Sequence, residues 1–287
     1  MLLVENLGII GGTGLYKIDD LEIIGEHDIN TPFGNPSAAI IEGKFEGSEP
    51  LFFLPRHGVD HALLPSEVNY RANIWALKSL SVRRVVSVSA TGSLREEIKP
   101  GDIALVHQYF DHTRGRREMS FFGRGVVAHI STAQPACPAL SDDILDAAKS
   151  ASLELHKEKT YACVEGPRLG TRAESLFLRQ SGCDVVGMTN LPEAFLAREA
   201  QMAYCTVAIA TDYDCWPEDP DQHAQADEIM SLYFANIEKV KSLVRSLAGV
   251  KSSPTPEWIS DCLKHSIITP PEKIPKEHEE WLQVLRR

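Results

Sequence analysis

Two carboxylates stand two residues apart where an apolar run ends. In YCTVAIATDYDCW, residues 204–216, Asp212 and Asp214 follow Tyr204–Ala210 on either side of Tyr213. Side chains at i and i+2 of an extended strand share a face, so both acids are expected to look the same way. A carboxyl sheltered at the end of a buried strand has its pKa raised and can hold a proton near neutral pH. That suits Asp212 to general-acid work on a leaving group. Other chemistry-bearing residues also follow apolar runs. GGTG, with Thr13, closes the first, and Arg56 and His57 follow LFFLP. Ser89, Ala90, Thr91 and Gly92 come at the end of VVSVSATG, and Met188 and Thr189 follow VVG. Hydroxyls, glycine turns, one arginine and one histidine form a set that suits an anion the size of phosphate.

The elements that must position these residues read as strands alternating with helices. Strands are expected at 7–11, in two runs within 37–58 around a Gly-Ser-Glu-Pro turn, and at 83–94 and 102–110. Further strands are KTYACVEGP, CDVVGMT and AYCTVAIATDYD. Helices are expected at 66–80, capped by Ser66, and over DDILDAAKSASL, TRAESLFLRQSG, LPEAFLAREAQ and residues 226–249. The last has Ile229, Leu232, Ile237, Val240, Val244 and Leu247 near one face, and Gly249 suits its end. Such alternation implies an α/β domain with a largely parallel sheet, and in such sheets ligands bind beyond the carboxyl ends of strands. Residues 1–249 are expected to form one domain. The Pro- and charge-rich stretch 250–287 is expected to be a C-terminal arm with a final short helix.

Several chemistries are disfavoured. A net charge of −11 argues against nonspecific nucleic-acid or membrane-surface binding. No apolar stretch approaches the length of a membrane span, and the first residues lack the basic start of a signal peptide. The six cysteines form no CxxC pair and read as reduced core thiols of a cytoplasmic protein. No GxSxG elbow or HExxH is present, so neither a nucleophilic hydrolase nor a metal site is expected. GGTG fails as a dinucleotide fingerprint, because Lys17 stands where its last glycine belongs.

Taken together and in order, GIIGGTGLY, PRHG, VNYRANIWALK, ATGSLREEIKPGD, EGPRLGTRAES, DVVGMTNLPEAFLAREA and TDYDCW resemble the methylthioadenosine phosphorylases. These belong to the trimeric purine nucleoside phosphorylase superfamily, and the resemblance covers roughly residues 7–245. It implies a single α/β domain with a central mixed, largely parallel sheet flanked by helices. It implies phosphorolysis of the N-glycosidic bond of 5′-methylthioadenosine in purine and methionine salvage. Adenosine or 2′-deoxyadenosine are further substrates to consider, and a homotrimer is implied. Inorganic phosphate is then a co-substrate, and no metal or organic cofactor is needed. Protonated Asp212 would donate to purine N7, and Asp214 would accept from the 6-amino group. A 6-oxopurine enzyme, acting on inosine or methylthioinosine, usually carries Asn at the base-reading position. A nucleoside- or phosphate-binding protein without turnover would not need a raised-pKa donor. Thr13, Arg56, His57, Ser89, Ala90 and Thr189 would surround phosphate, and Met188 would lie along the ribose. His61, with His129 from a neighbouring subunit, would border the 5′ substituent.

The chain departs from that family in places that bear on specificity. Leu169 stands where the family places a purine-stacking Phe, and Ser89 where it places Thr. An ungapped alignment from Asp214 puts Gln225, Glu228 and Ile229 at the 5′ pocket. Two polar residues there would favour a 5′-hydroxyl over a thioether. A shift in the loop PEDPDQHAQAD would instead turn Ile229 and Leu232 towards the substrate. Ile267 and Ile268 fall where the family's C-terminal segment reaches that pocket, and residues 270–287 have no counterpart to align.

Overall fold

A computed structural model describes residues 5–12, 15, 17–219 and 226–287. The described chain carries nine strands and seven α-helices. The strands are β1 (Asn6–Gly11), β2 (Glu22–His27), β3 (Ile40–Lys44), β4 (Leu51–Pro55), β5 (Val82–Ser93), β6 (Ile103–His112), β7 (Leu155–Val164), β8 (Val185–Gly187) and β9 (Ala203–Asp212). The helices are α1 (Tyr70–Ser79), α2 (Pro138–Ser150), α3 (Arg172–Gln180), α4 (Asn190–Glu199), α5 (Ala226–Ala248), α6 (Glu257–Ser260) and α7 (Lys276–Arg286).

The strands form one mixed sheet in the order β2-β3-β4-β1-β5-β8-β7-β6-β9. Five of its strand pairings are parallel, including β1 with β4 and β5 with β9. Four are antiparallel. β9 also pairs with β5, so β5, β8, β7, β6 and β9 close on themselves, and β1 to β4 extend from β5 as an open wing. Closure removes two sheet edges that would otherwise need protection. β5 and β9 are buried along most of their length, which their continuous small and β-branched runs permit.

Local chemistry explains where helices start. α1 begins at Tyr70, four residues after the expected Ser66 cap. Asn69 caps it instead, its side-chain oxygen accepting from the Ala72 N–H at 3.2 Å. Residues 64–68 are held as turns by the Leu64 N–H to Glu67 and by the Tyr70 hydroxyl to the Pro65 carbonyl. α3 has a capping box, in which the Thr171 hydroxyl accepts from the Glu174 N–H and Glu174 accepts from the Thr171 N–H. In α5 the inner stripe runs Tyr233, Ile237, Val240, Val244 and Leu247, so Tyr233 rather than Leu232 faces inward at its N-terminal end.

Residues 250–287 return to the body. Trp281, Leu282, Val284 and Leu285 of α7 share the cluster that holds Trp75 and Leu77 of α1. Trp281 meets the rings of Phe33 and Phe122 edge-on, at centroid distances of 5.7 and 5.9 Å. The Trp75 indole N–H donates to the Trp281 carbonyl. Arg84 of β5 bonds Asp143 of α2 and Ser252, and Asp143 accepts from Ser253.

Candidate active site

The carboxyl ends of β4, β5, β8 and β9 open into one cavity of about 700 Å³. Its other walls are the loop after β7, Glu165–Gly170, and the N-terminal turns of α5. Arg56, His57, His61, Ser89, Ala90, Leu169, Met188, Thr189, Asp212, Asp214 and Ile229 all line it. Glu228 is exposed and does not, contrary to the sequence alignment. His129 is also exposed and lies outside the cavity of its own chain. Thr13 and Gln225 lie outside the described residues.

At one end are the two acids. The strand stops at Asp212, and Asp214 takes a left-handed backbone with φ 52°. They are therefore not brought together by strand alternation. The register between β5 and β9 skips at this point: Thr91 faces Ala210, and Gly92 faces Asp212. Such a bulge adds twist and re-aims the side chains beside it. Both acids then close on Gly92. A Cβ there would lie 2.9 Å from Asp214 Cβ and 3.1 Å from Asp212 Oδ2.

Burial pushes the Asp212 carboxyl up to about 6, with the Asp214 charge adding to the effect. Hydrogen bonds from the Thr211 hydroxyl and the Asp214 N–H oppose it. Thr211 has a single proton for two acceptors, the Thr91 carbonyl at 3.2 Å and Asp212 Oδ1 at 2.6 Å. A proton on Asp212 Oδ1 satisfies both contacts, because Asp212 then donates to the hydroxyl while the hydroxyl donates to the carbonyl.

The loop facing the acids is clamped at both ends. Glu165 takes hydrogen bonds from the Arg114 N–H and the Arg117 Nε. Arg168 donates through two nitrogens to the carboxylate of Glu174, which this contact holds down to about 2. Gly166 has φ 68°, and a Cβ there would sit 2.5 Å from Met188 Sδ. The glycine thus lets Met188 lie against the loop while Leu169 stays exposed at its tip.

At the other end, Ser89 Oγ and Thr189 Oγ1 stand 3.4 Å apart, both buried. Arg56 is buried beside them and committed to a network. Its Nε and Nη2 hold both oxygens of Glu193, at 2.8 and 3.0 Å. Nη1 donates to the Val88 carbonyl and Nη2 also to Ser87. Those bonds leave one Nη1 N–H unassigned among the described residues. Glu193 also accepts from the hydroxyls of Ser87 and Tyr204. Its several donors and its Arg56 partner keep a fully buried carboxylate satisfied. Burial, with Arg56 adding to it, pushes His57 down to about 4.

Sequence reasoning did not single out Glu193 or Tyr233, and it named Gly92 only as part of a glycine turn after a strand. Tyr233 lines the cavity with its hydroxyl against Gly12, so the stripe phase of α5 could have revealed it. Glu193 carries no signal beyond a charged residue in a mostly apolar helix. Gly92 depends on a register that only pairing reveals. The first turns of α5 bring Ile229, Met230 and Phe234 to the wall, and Val59 and Leu64 line the cavity from the loop after β4.

A half-buried acid pair and a buried pair of hydroxyls on the wall of one cavity are parts that suit group transfer on a nucleoside-sized molecule. The chain belongs to the Phosphorylase superfamily, whose family model matches residues 6–248. It is 45% identical over 279 residues to the S-methyl-5′-thioadenosine phosphorylase of Geobacter sulfurreducens, covering 97% of each chain. A methylthioadenosine phosphorylase from an antarctic soil metagenomic library superposes with a TM-score of 0.90 at 41% identity, over 99% of each chain. The methylthioadenosine phosphorylase of Schistosoma mansoni, solved in complex with adenine, gives 0.81 at 34% identity over 86% of this chain and 91% of that one.

Proposed function

We propose that this chain catalyses phosphorolysis of 5′-methylthioadenosine to adenine and 5-methylthioribose 1-phosphate. The observation that carries the reading is the convergence of Asp212 and Asp214 on Gly92, at the far end of a cavity from Ser89, Thr189, His57 and Arg56. Asp212, protonated, donates to N7 as the purine leaves, and Asp214 accepts from the 6-amino group. A 6-oxo group offers no hydrogen to Asp214, which counts against inosine-type substrates. Phosphate at the hydroxyl corner attacks C1′ of an oxocarbenium-like sugar without a covalent enzyme intermediate. The protein's contribution is position and electrostatics. The purine excludes water from an acid already at about 6, so binding shifts Asp212 further towards its protonated form.

Ile229, Met230 and Phe234 at the α5 wall support a thioether at the 5′ position over the hydroxyl of adenosine. The polar 5′ pocket expected from Glu228 finds no support, since that residue is exposed and outside the cavity wall. The reaction uses inorganic phosphate as co-substrate and requires no metal or organic cofactor. The arrangement that suits the site best is a homotrimer in which His129 of one copy borders the 5′ end of another's cavity. The six free cysteines, four of them buried, fit a reducing cytoplasm. Among the described residues no helix is long and apolar enough to cross a membrane.

The test is adenine release from methylthioadenosine, followed by ultraviolet absorbance with and without phosphate. Release should require phosphate, and methylthioadenosine should exceed adenosine and inosine in kcat/KM. Equal release without phosphate would make the protein a hydrolase.

A further inference from the structure

Arg117 lies in the irregular stretch between β6 and α2, is buried, and is not part of the cavity wall. A buried guanidinium is costly unless its N–H groups meet acceptors. Here five acceptors meet five donors. Nε donates to Glu165 Oε1 at 3.2 Å. Nη1 donates to the Leu191 carbonyl at 2.5 Å and to the Tyr70 hydroxyl at 3.4 Å. Nη2 donates to the carbonyls of Glu165, at 3.0 Å, and Val164, at 3.4 Å. The guanidinium carbon stands 5.5 Å from the centre of the Tyr70 ring. Three of these acceptors are carbonyls on two stretches of backbone that carry cavity side chains. Val164 and Glu165 lead into the loop that runs to Gly170. Leu191 closely follows Met188 and Thr189 and takes extended dihedrals, φ −121° and ψ 134°, inside the start of α4. Its carbonyl is out of line with the helix and needs a donor from elsewhere. On the cavity side the same two stretches touch where Gly166 meets Met188.

We propose that Arg117 is a positioning residue: its planar fork fixes the spacing between loop 165–170 and the Met188–Thr189 stretch, and so sets where a nucleoside lies relative to phosphate. The inference rests on the reading of this cavity as a nucleoside and phosphate site. Lysine at this place keeps the charge that balances Glu165 and so avoids an unpaired buried carboxylate. Its ammonium is a point charge without the fork, and it does not hold the Val164, Glu165 and Leu191 carbonyls in one geometry. The two walls then move apart or slide, and small displacements in a site of this kind are expensive.

The experiment is steady-state kinetics of Arg117→Lys in the adenine-release assay, with both substrates varied and a thermal melt to fix the folded fraction. KM should rise about tenfold or more for methylthioadenosine and about threefold for phosphate, because the fork reaches both walls. A role in folding alone would lower the amount of active enzyme, and hence Vmax, and leave both KM values in place. Both KM values within about twofold of the parent would therefore overturn the proposal, whatever happens to Vmax. Arg117→Ala covers the case of a lysine variant that does not fold. It is assayed over a series of methylguanidinium concentrations, with methylammonium as a control of equal charge. A KM for methylthioadenosine that falls towards the parent value only with methylguanidinium supports the proposal. Rescue of Vmax alone, or equal rescue by methylammonium, overturns it. Adenine release that ignores phosphate would end the phosphorolysis reading, and the KM for methylthioadenosine would still decide the role of Arg117.

Discussion

Asp212 carries two opposed demands. In the proposed reaction it holds a proton for the leaving purine, and holding it near neutral pH requires an environment that penalises its charge. Burial is the main source of that penalty. Its folded pKa of about 6 lies above the ordinary 3.8, so the sign of its effect on stability follows. The contribution is fully present below the unfolded value and is lost as pH rises through the folded one. At neutral pH the ionised carboxylate is therefore a liability to the fold. Asp212→Asn should lower kcat/KM by about 10²–10⁴ and remove the alkaline limb of the pH–rate profile. The same variant should be more stable than the parent near pH 7.5, by roughly 1–2 kcal/mol once partial exposure is allowed for. Near pH 4 that gain should vanish. Thermal melts at the two pH values, beside steady-state kinetics, check both halves, and unchanged turnover would refute the assignment.

At the scale of elements, the decisive feature is the register skip between β5 and β9. It frees Thr211 from its place in the ladder and sets both acids over Gly92. Gly92→Ala places a methyl group 2.9 Å from Asp214 Cβ, against loop backbone at 3.3 Å that has little room to give. This substitution should cut kcat/KM for adenine nucleosides by about tenfold or more, chiefly through KM, as the pair proposed to read the base is displaced. The KM for phosphate should hold, since the anion corner lies at the other end of the cavity. Matched changes in both KM values would count against two separable subsites. Elements also show what sequence patterns miss. β2 gives no signal in the sequence because its Ile23 and Ile24 are adjacent and both exposed, leaving no alternation to read. The inner stripe of α5 has Tyr233 where its sequence pattern places Leu232. Leu232 and Tyr233 are both apolar, and only packing against Gly12 chooses between them.

Across the whole molecule, closure of five strands places the carboxyl ends of β5, β8 and β9 around one opening. The C-terminal segment packs α7 against α1. Burial of Trp281 alone is worth about 3–5 kcal/mol by the usual cost of truncating a core aromatic. Val127 and Ile268 are both exposed and are joined by the Ile268 N–H to the Val127 carbonyl, and the His129 N–H donates to the Ser266 carbonyl of the same segment. The proposed homotrimer should appear as a species of three chains in sedimentation velocity. His129→Ala should raise KM for methylthioadenosine several-fold without altering that for phosphate. A monomer of full activity would exclude the shared site.

The residue kinds, the apolar runs and the order of motifs were legible from the chain alone. They led to alternating strands and helices, to Asp212 as a sheltered carboxyl at the end of a strand and to the hydroxyl, His and Arg set after the strands, while the base-facing role of Asp212 and Asp214 came from the family resemblance. Those features depend on local chemistry and on spacing along one element, which a linear string preserves. Closure of the sheet, the Gly92 register, the inward turn of Tyr233 and the hold of Glu193 on Arg56 were decided only by the fold. Each depends on a partner far away in the chain, 137 residues away for Glu193 and Arg56, and no local pattern encodes which distant groups will share a buried space.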